Sequence, residues 1–222
     1  MRNDKETGEL LSRACHDLRT PARGVRAHAE LLARDWGKAP EDDVRQRLGF
    51  IVDGARRITE ILDGLSGYAA ALEMGDGSFQ TVHMDALLRS VLGIIDNDIQ
   101  TSGSVVTTDR LPDVYGDADR LMLVLEELIR NAALPRGKTP PHIHVSASRD
   151  DKSWRFAVQD DGPCVEADEL ERVFRPFERF GGNGVGLGLA TCRAIIEAHG
   201  GRIWLESPET GGCTAYFTIP DR

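Results

Sequence analysis

His16 and Asp17 stand side by side in the string HDLRTP, residues 16–21, inside a long helical pattern. An imidazole next to a carboxylate pairs a nucleophile with a group that takes its proton, the pairing that phosphoryl transfer to histidine requires. Three further strings carry phosphate and nucleotide chemistry. Gly184, Gly186 and Gly188 alternate in GVGLGL directly before a helical pattern. Missing side chains there let backbone N–H groups approach phosphate oxygens at a helix N-terminus, although a loop needs glycine for its turn as well. Asp160-Asp161-Gly162 ends a strand-like run. A carboxylate so placed accepts a hydrogen bond from an exocyclic amine such as adenine's, or simply makes a turn. Glu127 and Asn131 are four apart on a helix, so they face one side, either as oxygen ligands for Mg²⁺ or as a plain surface pair.

The elements that must position these groups fall into two parts. Residues 6–72 read as a helical hairpin broken at Gly37-Lys38-Ala39-Pro40, with Glu41-Asp42-Asp43 at the start of the second helix. In that helix Val44, Leu48, Ile51, Ala55, Ile58, Leu62, Leu65, Ala69 and Leu72 form an a/d heptad seam. In the first helix Leu11, Leu18, Val25 and Leu32 share one heptad position, and Ala14, Pro21 and His28 the other. His16 then falls at an f position, the most exposed on the helix. Pro21 removes a backbone donor and is expected to loosen or kink the helix just beyond the histidine. A hairpin of two helices has too little core alone, so we expect a homodimer through residues 6–72, closing a four-helix bundle.

After a glycine-containing linker at 73–80 the pattern is mixed α/β. We expect a short strand over 79–83, a helix over 84–100, a strand over 105–108 and a helix capped by Asp117 running to 133. Strands over 143–147 and 154–158, a helix over 187–199, and a hairpin of strands 203–206 and 215–219 follow. GVGLGL does not lie in a βαβ unit, which argues against a Rossmann dinucleotide site.

The 222 residues carry 27 basic and 36 acidic side chains, a net charge of −9, which argues against general nucleic-acid binding. No apolar run approaches the roughly 18 residues of a membrane span, and the N-terminus has no signal-peptide core. Cys15, Cys164, Cys192 and Cys213 show no CxxC spacing and read as buried reduced thiols. His142 and His144 read as a solvent-facing strand pair rather than a metal site.

Taken in order, HDLRTP, ELIRNA (127–132), QDDG (159–162), FRPFERF (174–180) and GVGLGL (184–189) resemble the sensor histidine kinases of two-component signalling. The likeness extends over nearly the whole chain, and the hairpin looks most like those of phytochrome-linked kinases. It implies a multi-domain α and α+β protein. A dimerisation and histidine-phosphotransfer hairpin at 1–72 forms the dimeric four-helix bundle, and an α/β sandwich of Bergerat ATPase type follows at 81–222. By resemblance, His16 attacks the γ-phosphate of ATP, Asp17 orients the ring and takes its proton, and Thr20 positions water for phosphatase work on the partner. Asn131 would hold Mg²⁺, Asp160 would read the adenine amine, and Glu127, Gly162, Gly184, Gly186 and Gly188 would line the nucleotide site. Phe174 and Phe177 match the aromatic residues flanking the ATP lid, with Arg175 or Arg179 near the phosphates.

The implied partner is a response-regulator receiver domain, with input from an upstream sensor domain or a separate sensor protein, and a cytoplasmic location. Four departures stand against this pattern. Glu127 replaces the usual asparagine, Leu134 a frequent lysine, Cys164 the second glycine of DxGxG, and the lid between Phe177 and Gly184 is short. They leave two other readings open: a kinase-inactive phosphotransfer scaffold, and a Bergerat ATPase in which Glu127 activates water.

Overall fold

In the computed structural model Pro21 lies inside helix α1 (Arg2–Arg34) and does not end it. The structure describes every residue except 1, 74, 76–77, 135–138, 164–165, 167–168, 180–183, 209–210 and 222, and for 2–9 the backbone alone. Helix α1 runs through Pro21 without interruption, although the proline brings no backbone donor to it. The neighbouring helix α2 (Glu41–Leu72) accommodates the site with a glycine. A Cβ on Gly54 would come within 2.7 Å of Val25 Cγ2 and 3.3 Å of the Pro21 carbonyl oxygen. Gly54 thus permits close approach of the two helices beside the proline.

The chain forms two compact units, Met1–Gly67 and Tyr68–Arg222. In the first, Ala14, Leu32 and Ile61 are buried and His28 stacks on Phe50 at 4.6 Å. The seam read in α2 divides by heptad row. Val44, Ile51, Ile58 and Leu65 are half-buried inside the hairpin, whereas Leu48, Ala55, Leu62 and Ala69 are exposed, as is Leu72 at the end of the first row. Arg47 closes the turn between the helices, bridging Asp35 at 3.0 Å and Asp43 at 2.6 Å, while Arg34 holds Asp35 from the other side. Hydrogen bonds from Arg34 and Arg47 lower the Asp35 carboxyl to about 2.

The second unit is a layer of helices on a five-stranded sheet. Its elements are β1 (Gln80–His83), α3 (Met84–Ile94), α4 (Asp96–Ser102), β2 (Val105–Thr108), β3 (Asp113–Gly116) and α5 (Ala118–Ala132). Then come β4 (His142–Asp150), β5 (Ser153–Asp160), a 3-10 turn at Arg172–Phe174, α6 (Gly188–Ala198), β6 (Ile203–Glu206) and β7 (Cys213–Pro220). The strand order is β2-β4-β5-β7-β6, with β2 parallel to β4 and every other pair antiparallel. Phe156 and Phe217 stack at 4.8 Å on the covered face, under Leu121, Leu125, Ile129, Ile195 and Ile196.

Three local expectations change. The helix expected over 84–100 is two, parting at Ile95. Residues 113–116, not read as a strand, pair antiparallel with β1. Cys15 is exposed, while Cys192 and Cys213 are buried as expected; Cys164 lies outside the described residues. The cap at Asp117 is present, its Oδ1 accepting from the Arg120 N–H at 3.1 Å. Behind it, His199 accepts the Asp117 N–H at Nε2 (3.0 Å), pairs Nδ1 with the Ile195 carbonyl (2.7 Å) and stacks on Phe79 at 4.5 Å. The two bonds set one neutral tautomer, with the proton on Nδ1.

Candidate active site

On α1 the His16 side chain is 79% exposed and its Nδ1 lies 3.1 Å from Asp17 Oδ1. The f position read from the heptad is thus an outward-facing ring. A carboxylate only accepts, so the contact puts a proton on Nδ1 and leaves the Nε2 lone pair as the nucleophile. Thr20, four residues on, is exposed on the same stripe of the helix. Pro21 has no N–H to bond the Asp17 carbonyl, so the backbone beneath the pair lacks one helical hydrogen bond.

In the second unit α5 brings Glu127 and Asn131 together, the Asn131 amide nitrogen donating to Glu127 Oε1 at 3.1 Å. Burial pushes the Glu127 carboxyl above its ordinary range, opposed by that hydrogen bond. Gly188 opens α6 beside it. A Cβ there would lie 1.8 Å from Glu127 Oε1, so this glycine makes room for a carboxylate of its own chain. One turn along α6, the buried Cys192 thiol is pushed far up by burial and by the Glu127 charge.

At the end of β5, Asp160 Oδ1 accepts the Gly162 N–H at 2.8 Å, and Asp161 Oδ1 accepts the His142 N–H at 2.8 Å. The turn reading of this string therefore holds whatever else Asp160 binds. Gly212 braces the turn from the β6–β7 connection, donating to the Gly162 carbonyl at 2.8 Å. Its φ is +86°, and a Cβ would stand 2.8 Å from the Asp160 carbonyl oxygen. Gly211 and Gly212 lie in the connection of the hairpin expected from the sequence, and the adjacent glycines are the only local signal of this bracing. A cavity of about 200 Å³ lies here, lined by Ala132, Leu134, Thr139, Pro141, Asp160 and Gly162. Leu134 thus contributes apolar wall where a lysine would bring charge.

The strings FRPFERF and GVGLGL meet through the backbone. Phe177 N–H donates to the Gly186 carbonyl at 2.7 Å, with Phe177 at φ +64° and Gly186 at φ +80°. A bulky residue held in the left-handed region costs about 1–3 kcal/mol, a strain found at functional sites. Phe174 is buried beneath the Arg193 guanidinium, 4.6 Å from its ring centroid, and Arg193 pairs with Glu171 at 2.9 Å. Arg175 is exposed on the following turn, and Gly184 is exposed with nothing within 4 Å of a Cβ. Most of the lid, residues 180–183, lies outside the described residues.

Two family matches cover this chain. Residues 6–71 match the His Kinase A (phospho-acceptor) domain, and residues 116–222 match the histidine kinase-, DNA gyrase B- and HSP90-like ATPases. The chain belongs to the sensor histidine kinases. Cyanobacterial phytochrome A of a Nostoc species is 32% identical over 99% of the kinase chain. The phytochrome-like protein Cph1 of a Synechocystis species is 32% identical over 93% of it. The kinase chain spans 29% and 28% of the length of these two relatives. The catalytic domain of histidine kinase ThkA superposes with a TM-score of 0.58 at 29% identity, over 64% of the kinase chain and 95% of that domain. Histidine kinase ThkA, in a complex with the response regulator protein TrrA, matches the fold over 100% of the kinase chain and 64% of its own length. Its TM-score is 0.75 at 23% identity. Membership in the ATPase family makes the second unit an ATP-binding domain. Among the described residues no helix is long and apolar enough to cross a membrane.

Proposed function

We propose that this chain is the kinase module of a two-component signalling protein, in which ATP in the second unit phosphorylates His16. An aspartate of a response-regulator receiver domain then takes the group. The observation that carries the reading is the exposed His16 ring held at Nδ1 by Asp17. As the bond from Nε2 to the γ-phosphorus forms, the bond from that phosphorus to the bridging oxygen breaks and ADP leaves with the electron pair. Asp17 stabilises the charge that develops on the ring and takes up the Nδ1 proton. Thr20, on the same stripe, positions water when the phosphorylated regulator is hydrolysed.

For the nucleotide, Asp160 reads the adenine amine beside the cavity, and Gly162, Gly184 and Gly186 admit the backbone to it. Arg175 lies near the phosphates. The donor set also fits Mg²⁺. Asn131 offers a hard amide oxygen, and among the described residues no three His, Cys, Asp or Glu side chains form a metal cluster. An ion that keeps waters and shares its ligands with phosphates matches that arrangement. When bound, Mg²⁺ neutralises the phosphate charge that develops during transfer.

We assign the phosphotransfer hairpin to 1–72, a linker to 73–80 and the ATP-binding domain to 81–222. The exposed row Leu48, Ala55, Leu62 and Ala69 supports a homodimer, since a second copy laid on it completes a four-helix bundle. The signal enters through a sensor domain upstream in the same chain or through a separate protein, and the module works in the cytoplasm.

The test is incubation with Mg²⁺ and γ-labelled ATP. Acid-labile, base-stable label that disappears in His16→Gln supports the reading. A protein that takes no label from ATP but accepts phosphate from a phosphorylated regulator is instead a phosphotransfer scaffold.

A further inference from the structure

Asn131 has two chemically different ends on one planar amide, and only the oxygen can ligate a cation. Which end faces the nucleotide is set by what the other end touches. In this chain the neighbour is a carboxylate, 3.1 Å from the amide nitrogen. An asparagine in place of Glu127 would pair with either end of the Asn131 amide, accepting from its nitrogen or donating to its oxygen; here Glu127 Oε1 accepts from the nitrogen.

The carboxylate is itself held from several sides. Asn131 lies one helical turn along α5, and Gly188 at the start of α6 leaves only the space that Glu127 Oε1 occupies. Cys192, one turn further along α6, is buried and feels the charge of the same group. We propose that Glu127 is a positioning residue that fixes the Asn131 amide with its oxygen away from Glu127, presented to the magnesium ion. The glutamate thus takes the place of the usual asparagine without joining the reacting atoms. The inference rests on the reading of Asn131 as the magnesium ligand given above.

The experiment measures binding of a non-hydrolysable ATP analogue to the full chain by calorimetry, with and without Mg²⁺. The variants are Glu127→Gln, which permits both amide orientations, Glu127→Leu, which anchors neither, and Asn131→Ala. Wild type gains affinity when Mg²⁺ is added, and Asn131→Ala loses that gain. Both Glu127 variants lose about three- to ten-fold of that gain, read as the ratio of affinities with and without Mg²⁺, the size expected for one hydrogen bond. The Asn131 side-chain NH₂ pair is read in parallel by ¹⁵N NMR. Its two protons are widely separated in wild type, where one is bonded to the carboxylate, and draw together in Glu127→Leu.

If Asn131→Ala loses the magnesium gain and both Glu127 variants keep it, the positioning role is overturned and the ligand reading stands. If Asn131→Ala keeps the gain, the ligand reading falls and the inference with it. A Glu127 variant that loses affinity equally with and without Mg²⁺ keeps the gain, which also overturns the proposal.

Discussion

The carboxylate of Glu127 sits where a side chain at position 188 would be, with Oε1 1.8 Å from an ideal Cβ on Gly188. Gly188→Ala therefore forces Glu127 out of place or spreads α5 from α6. Overpacking of this kind costs about 1–3 kcal/mol, and in a domain this size each kcal/mol lowers the melting midpoint by about 2–4 °C. Thermal denaturation should show that fall, with weaker magnesium-dependent nucleotide binding. A midpoint within a degree of wild type would show that the site relaxes freely.

Asp17→Asn keeps the size of the side chain at position 17 but removes the charge that holds the His16 proton. Label transfer from ATP should slow by about 10²- to 10⁴-fold, the range for a positioned proton acceptor. Analogue binding should be unchanged, because the substitution lies in the hairpin. Equal label rates in the variant and wild type would remove Asp17 from the chemistry.

His199→Leu removes the acceptor of the Asp117 N–H and the ring that stacks on Phe79. A buried donor left unpaired costs about 1–3 kcal/mol. The urea midpoint of the second unit should fall accordingly, with no change in the helicity of the hairpin. An unmoved midpoint would mean that water replaces the imidazole.

Asp35 titrates at about 2 in the folded hairpin, below the ordinary aspartate value of about 3.9. A depressed carboxyl stabilises the fold above the unfolded value, and that contribution is lost as pH falls through the folded one. Carbonyl ¹³C NMR should place the Asp35 midpoint near 2, and Asp35→Asn should remove the acid dependence that the turn contributes. A midpoint in the ordinary range would show that Arg34 and Arg47 are solvated instead.

Leu62→Glu puts a charge in the middle of the exposed row of α2. Sedimentation should show a dimer for wild type and a monomer for the variant, because an unpaired charge does not enter an apolar seam. A variant that remains dimeric would place the interface elsewhere.

Local pattern made much of this protein legible. Heptad spacing placed both helices of the hairpin and put His16 on its outer side, because the α-helical period ties position directly to face. The Asp117 cap, α6 and the β6–β7 pair were visible for the same reason: their signals lie within one element or one turn. β3 was not visible. Four residues between Pro112 and an N-cap become a strand only because β1, some thirty residues earlier, supplies its hydrogen bonds. The parallel pairing of β2 with β4 is equally non-local, and so is the close approach of Gly54 to Pro21 and Val25 across the hairpin.

The sequence by itself determined which residues are candidates for the chemistry: His16 with Asp17, Glu127 with Asn131, the aspartates at 160–161 and the alternating glycines. Tertiary structure alone decided what stands opposite each of those groups. Gly188 faces Glu127, Gly186 turns the chain against Glu178, and a Cβ on Gly184 would find nothing within 4 Å, although the three look alike in the string GVGLGL. Half of the α2 seam is used within the hairpin and half is left exposed. The reason is the same in both cases. Residue type and period fix a side chain's chemistry and the face it takes, but the atoms opposite it come from elements remote in sequence.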